Sequence, residues 1–138
     1  MEKDCLFCKI AGGEIPSRKV YEDEMSLAFL DINPVNPGHT LIIPKKHFEN
    51  IYDLNEEIAA HLMKVAKKIS IALKKTGVDG INITMNNEKD AGQVIFHSHI
   101  HIMPRIKGDN LPMWPGKKLK DEELDEMAKK ISSGLART

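Results

Sequence analysis

Three histidines fall at alternate positions in the run His97-Ser98-His99-Ile100-His101-Ile102. A period of two is the signature of a β-strand, whose successive side chains point to opposite faces. The spacing predicts a long strand over 94–103, ended by Pro104, with all three imidazoles on one face. Ser98, Ile100 and Ile102 take the other face, and the two isoleucines make that face part of a core. Neighbouring imidazoles on such a strand start roughly 7 Å apart at the backbone. Two of them can therefore contact one tetrahedral phosphate group.

A single strand histidine is most simply a satisfied polar group. Three on one face are costly to bury without partners, so the cluster points to chemistry. A metal centre is the rival reading, because histidines at i and i+2 can ligate one ion with a third ligand from elsewhere. Phosphoryl chemistry by a nucleophilic imidazole is preferred because of what precedes the cluster. Asn86, Asn87, Gly92 and Gln93 supply neutral donors and flexible backbone suited to phosphoryl oxygens. No nearby group of Asp and Glu resembles the ligand set of a hard-metal phosphatase.

The rest of the chain alternates short strands with two helical patterns. Leu6 to Ala11 reads as a helical turn closed by Gly12-Gly13 and Ile15-Pro16. Val20 to Glu22 and Met25 to Ile32 read as strands joined by a tight polar turn, and His39 to Ile43 as a strand stopped by Pro44. Ile58, Leu62, Val65, Ile69 and Leu73 share one helical face, with Asp53 and Glu56 as a capping pair and Gly77 as the stop. Ile81 to Met85 is a further strand. Leu124, Met127, Ile131 and Leu135 mark a final amphipathic helix. Short connections between many strands imply antiparallel pairing and an α+β class.

The chain's 138 residues fit one domain, taken as 1–138, and 20 basic against 20 acidic residues give a formal net charge of zero. That balance argues against a protein that grips a nucleic-acid backbone, but leaves room for a small anionic ligand. The charged start, Met1-Glu2-Lys3-Asp4, has no apolar signal region, and no run is long enough to span a bilayer, so a soluble cytoplasmic protein with no membrane partner is expected. Cys5 and Cys8 have the gap of a metal or redox pair rather than of a disulfide framework. His61, near the edge of the long helix's apolar face, reads as structural.

The motif His97-Ser98-His99-Ile100-His101-Ile102-Met103 resembles the signature of the histidine-triad (HIT) family. The resemblance extends over nearly the whole chain. It is carried by Cys5-Leu6-Phe7-Cys8-Lys9-Ile10, Ala28-Phe29-Leu30-Asp31-Ile32, Pro37-Gly38-His39-Thr40, Ile43-Pro44-Lys45-Lys46-His47 and Ala91-Gly92-Gln93. The chain is most similar to the bacterial histidine-triad nucleotide-binding branch. The resemblance implies a five-stranded antiparallel sheet with one long helix and a C-terminal helix. It also implies a homodimer with a continuous sheet, burying the long helix and a central strand at the interface.

By the same resemblance, His99 would attack the α-phosphorus of a purine nucleotide, and water would then hydrolyse the nucleotidyl-histidine. His101 would donate to a phosphate oxygen, and His39 would orient the nucleophile. Gln93 and one of Asn86 and Asn87, with Asn87 preferred, would contact phosphate. Asp31 would accept the ribose hydroxyls, although a turn cap is its plain alternative. Leu6, Phe7, Ile10, Phe29, Leu30 and Ile32 would line the base slot, or else be ordinary core. Cys5, Cys8, His47 and His97 would form a Cys₂His₂ zinc site; His97 counts among the catalytic histidines unless zinc occupies it, in which case it is structural. Val94 stands where many relatives carry a hydroxyl residue after the glutamine, which removes a donor near the phosphate. The expected activity is hydrolysis of purine nucleoside phosphoramidates with no organic cofactor. Dinucleoside polyphosphate cleavage and a nucleotide-binding scaffold with incidental activity are the alternatives.

Overall fold

The strand Thr40–Pro44 is buried along its whole length, and its alternating side chains divide the core in two. Ile42 joins Ala28, Ile100 and Ile102 beneath the helix Glu56–Lys74, whose inward stripe is Ile58, Leu62, Val65, Ala66 and Ile69. Leu41 and Ile43 face the opposite way and pack with Leu27 and Phe29 against Phe7 and Ile10 of the short helix Leu6–Ala11. The computed structural model describes residues 4–136. Residues 1–3, part of the charged start read above, lie outside them.

In chain order the elements are α1 (Leu6–Ala11), β1 (Lys19–Glu22), β2 (Ser26–Leu30), β3 (Thr40–Pro44), α2 (Glu56–Lys74), β4 (Gly80–Thr84), β5 (Ile100–Arg105) and α3 (Asp121–Leu135). One turn of 3₁₀ helix, Lys89–Ala91, lies between β4 and β5. The five strands form one sheet in the order β1-β2-β3-β5-β4, and every neighbouring pair is antiparallel. This is the α+β fold expected.

The other strands shift from the sequence reading by one or two residues at their ends, and β3 takes in Pro44 rather than stopping before it. The histidine strand differs most, at both boundaries and for backbone reasons. The strand predicted over 94–103 starts only at Ile100 and runs on to Arg105. Pairing of β3 with β5 ends at Ile42↔Ile100. Beyond it stands Pro44, which has no N–H to give and whose carbonyl accepts from the ring of His97 at 2.8 Å. Pro104 does not end β5 but sits within it, paired with Ile81. Its carbonyl accepts from the Asn36 side chain at 2.8 Å, on the side away from β4. The missing N–H faces that same side, past the end of the β3 ladder, so no bond to β4 is lost.

The cap of α2 also differs. Asn55, not Asp53, is the N-cap, and its side chain accepts from the N–H of Ile58 at 2.8 Å. Asp53 lies two residues too early and closes the preceding loop by accepting from the N–H groups of Glu49 and Asn50. The final helix forms as read, but every residue of α3 is exposed, including its apolar stripe.

The β1–β2 turn is tied to α2 through Asp23. One carboxylate oxygen accepts from the N–H groups of Met25 and Ser26 and from the Ser26 hydroxyl; the other accepts from Tyr21 and, at 2.7 Å, from His61. Burial pushes the Asp23 carboxyl up, but these donors together outweigh it and hold the group far below the usual carboxylate range. A depressed folded-state pKa contributes stability above the unfolded value near pH ~4, lost as pH falls towards the lower folded one. Asp23→Asn should lower unfolding free energy by about 2 kcal/mol at pH 7. In urea titrations the gap from the parent protein should narrow progressively below pH ~4; a pH-independent gap would show that the charge is not what holds the turn.

Candidate active site

A cavity of about 510 Å³ opens between α1, the segment 15–18, the end of β2, the loop 86–95 and the histidines. Leu6, Phe7, Ile10, Phe29, Leu30 and Ile32 all line it. Asp31, Asn86, His99 and His101 reach the same wall. Its lining combines hydrocarbon with two imidazoles, a carboxylate and an amide.

The histidines do not share one face as a continuous strand would require. His101 lies within β5, while His97 and His99 precede its ladder. The His99 and His101 rings stand 5.0 Å apart at the cavity. His97 is fully buried and turned away, and the Phe7 ring stands edge-on to both His97 and His99.

Hydrogen bonds fix the tautomers. A carbonyl only accepts, so the 2.7 Å contact between His99 Nδ1 and the His97 oxygen puts the proton on Nδ1. The lone pair of His99 is then on Nε2. The N–H of Val35 donates to His39 Nδ1 at 3.1 Å, so His39 carries its proton on Nε2 and donates it to His101 Nδ1 at 2.9 Å. His101 is left with an Nε2–H to offer. Burial pushes all of these rings down: His101 falls to about 4, with His99 and His39 adding to the effect, while for His39 and His99 the Asp31 carboxylate works the other way. Near pH 7 they are neutral, with usable lone pairs.

Asp31 takes the turn role considered for it and also faces the cavity. Oδ1 accepts from the N–H of Asn33 at 2.8 Å, closing a turn. Oδ2 lies 3.6 Å from His39 Nε2, at the cavity.

Of the two asparagines, Asn86 lines the cavity and Asn87 does not. Asn87 Oδ1 instead accepts from the N–H of Ile51 at 2.8 Å. Gln93 is also kept from the cavity. Its amide donates to the carbonyls of Glu49 and Ile95 and accepts from the N–H of Glu88, which makes it a buried strut of the loop. Gly92, at φ +94°, is in the left-handed region, and a Cβ there would come within 3.3 Å of the Asn86 side chain.

Cys5, Cys8, His47 and His97 form a second cluster behind the cavity, with ligand atoms all within 4.8 Å of one another. His97 donates from Nε2 to the Pro44 carbonyl, so its Nδ1 lone pair faces Cys5 Sγ at 3.3 Å and Cys8 Sγ at 3.5 Å. His47 Nδ1 lies 3.3 Å from Cys8 Sγ. A tetrahedral ion with ordinary zinc–sulfur and zinc–nitrogen bonds sets such edges at about 3.5 Å. The donor set therefore fits a tetrahedral metal.

Residues 12–108 match the family model for the HIT domain. The chain belongs to the HIT family. Members of this family are hydrolases that bind nucleotide substrates. An uncharacterized HIT-like protein of Methanocaldococcus jannaschii is 50% identical over 92% of this chain and 98% of its own. An adenylylsulfatase of Arabidopsis thaliana is 43% identical over 99% of this chain and 70% of its own. An adenosine 5'-monophosphoramidase of Schizosaccharomyces pombe is 38% identical over 95% of this chain and 98% of its own. Among solved structures, a Streptococcus mutans protein superposes with a TM-score of 0.92 at 45% identity, covering 98% of this chain and 87% of its own. A zinc-bound histidine triad family protein of Mycobacterium smegmatis superposes with a TM-score of 0.77 at 36% identity, covering 97% of this chain and 96% of its own.

Within this HIT cavity the sequence reading missed the segment Ile15-Pro16-Ser17-Arg18. Its Ile-Pro signal reads only as the end of a helical turn. Its place on the wall comes from a tertiary bond, the N–H of Leu30 donating to the Arg18 carbonyl at 3.0 Å.

Proposed function

We propose that this HIT protein hydrolyses purine nucleoside phosphoramidates through a nucleotidyl intermediate on His99. The observation that carries the reading is the bond from His99 Nδ1 to the His97 carbonyl, which leaves Nε2 as a free lone pair on a ring at the cavity. In the first step Nε2 attacks the α-phosphorus and the phosphorus–nitrogen bond to the amine breaks. The His99 ring becomes cationic while it carries the nucleotidyl group, and the His97 carbonyl, still accepting from Nδ1, stabilises that charge. His101 Nε2–H donates to a phosphate oxygen, held in position by His39. The amine leaves protonated, drawing its proton from solvent. Water then attacks phosphorus, the bond to Nε2 breaks, and the nucleotide departs with the hydroxyl while the second proton of that water returns to solvent. Asp31 accepts the ribose hydroxyls, and Asn86, rather than Asn87, reaches the phosphate. The name of the S. pombe relative, an adenosine 5'-monophosphoramidase, supports this substrate class.

A phosphoanhydride is the second substrate class for the same nucleophile, and the adenylylsulfatase name of the A. thaliana relative favours it. Dinucleoside polyphosphates belong to that class.

Zinc at Cys5, Cys8, His47 and His97 is part of the same reading, and the zinc-bound M. smegmatis neighbour supports it. Such an ion supplies structural cross-linking only. His47 and the thiolates hold α1 against the end of β3, and His97 is thereby withdrawn from the reaction. Thiolate ligands fit a reducing compartment, in keeping with a cytoplasmic enzyme. Among the described residues no helix is long and apolar enough to cross a membrane. A homodimer completes the reading. Met63 and Ile71 of α2 and Ile83 of the edge strand β4 are exposed, so a second copy pairing β4 to β4 would cover them and extend the sheet.

His99→Ala should lower turnover of an adenosine phosphoramidate by about 10³-fold or more while nucleotide binding survives. A loss of a few-fold assigns the nucleophile elsewhere. Side-by-side turnover of that substrate and a diadenosine polyphosphate ranks the two classes, and negligible turnover of both with binding retained would favour a binding module. Elemental analysis of protein purified without added zinc should find about one zinc per chain, lost in Cys5→Ser. Unchanged zinc in that variant would refute the ligand set.

A further inference from the structure

Among the described residues, two neighbours on the cavity wall have side chains with no partner. The Ser17 hydroxyl is shielded from solvent and makes no hydrogen bond, yet the residue lines the cavity beside Ile15 and Pro16. Arg18 lines it too, and among the described residues its guanidinium has no hydrogen bond or ion pair. The Arg18 backbone is anchored through its carbonyl to Leu30, so the segment holding both residues is tied to one of the apolar residues assigned to the base slot. A buried hydroxyl left unbonded is expensive, and such groups call for an explanation. A turn of Ser17 by one χ1 step into the cavity breaks no existing bond.

We propose that Arg18 and Ser17 read the edge of the base and that the slot selects guanine over adenine. The inference rests on the nucleotide-hydrolase reading of this cavity. Guanine presents two adjacent acceptors, O6 and N7, which match the donor-only fork of a guanidinium. Adenine replaces O6 with an amino group, so a donor would face a donor. The hydroxyl of Ser17 both donates and accepts, so it serves either base. Arg18 therefore carries the choice, and Ser17 contributes affinity without selectivity. Among the described residues no acidic side chain holds the Arg18 guanidinium, so it reaches the base without first breaking an ion pair to one of them.

Isothermal titration of the full chain with GMP and with AMP tests this. The parent protein should bind GMP about tenfold or more tightly than AMP. Arg18→Met, which keeps the length of the stem, should bring the ratio close to one through weaker GMP binding. Ser17→Ala should weaken both nucleotides by similar factors and keep the ratio. Equal affinities in the parent protein, or a ratio unchanged by Arg18→Met, would overturn the inference and leave the hydrolase reading standing. If Arg18→Met instead lowers kcat/KM equally for guanosine and adenosine phosphoramidates with the binding ratio intact, Arg18 serves the phosphate or leaving group and the inference also falls. Unaltered affinities in Ser17→Ala would remove Ser17 from the base. Failure of the parent protein to bind either nucleotide would take the hydrolase reading down with it.

Discussion

The hydrogen bond from the His99 ring to the carbonyl of His97 is the contact on which the site depends. It fixes which nitrogen of a buried imidazole carries the proton and which keeps its lone pair. The bond needs a carbonyl that no strand has claimed, and the end of the β3–β5 ladder at Ile42 and Ile100 leaves the His97 carbonyl outside it. Pro44 marks that end. It brings no N–H, and the His97 ring takes its carbonyl. A proline at the end of a buried strand thus becomes part of the chemistry, because imidazoles make bonds that a longer ladder would have made with backbone.

The same few ångströms separate a reacting half from a structural half. Phe7 of α1 stands edge-on between His97 and His99. On one side lie Cys5, Cys8 and His47, with the His97 lone pair turned towards the thiols. On the other, Val35, His39 and His101 form a directed chain of donors that ends on a free N–H at the cavity. Burial pushes His39, His99 and His101 down, so the reacting half does not depend on a charged imidazole near pH 7.

Much of this was legible from residue spacing, and the exceptions share a cause. The β3 and α2 patterns were plain because burial on one or both faces imposes strong periodicity. The pocket walls followed from blocks of sequence that resemble a family. The withdrawal of His97 was anticipated only through that resemblance, since alternation alone put it beside His99. Asn87 and Gln93 could not be separated from Asn86 by composition. Their amides are spent on backbone groups of Glu49, Ile51, Glu88 and Ile95, and only the folded loop reveals that. Arg18 was invisible for a similar reason: it joins the wall through a backbone bond to Leu30. The apolar stripe of α3 was read correctly as a helix, but periodicity does not say what covers it.

Nitrogen-15 NMR of imidazole-labelled protein at pH 7 tests the central contact most directly. The account predicts that His99 is neutral, with its proton on Nδ1 and an unprotonated Nε2. A proton on Nε2 of His99, in the folded protein with its other histidines assigned, would contradict it.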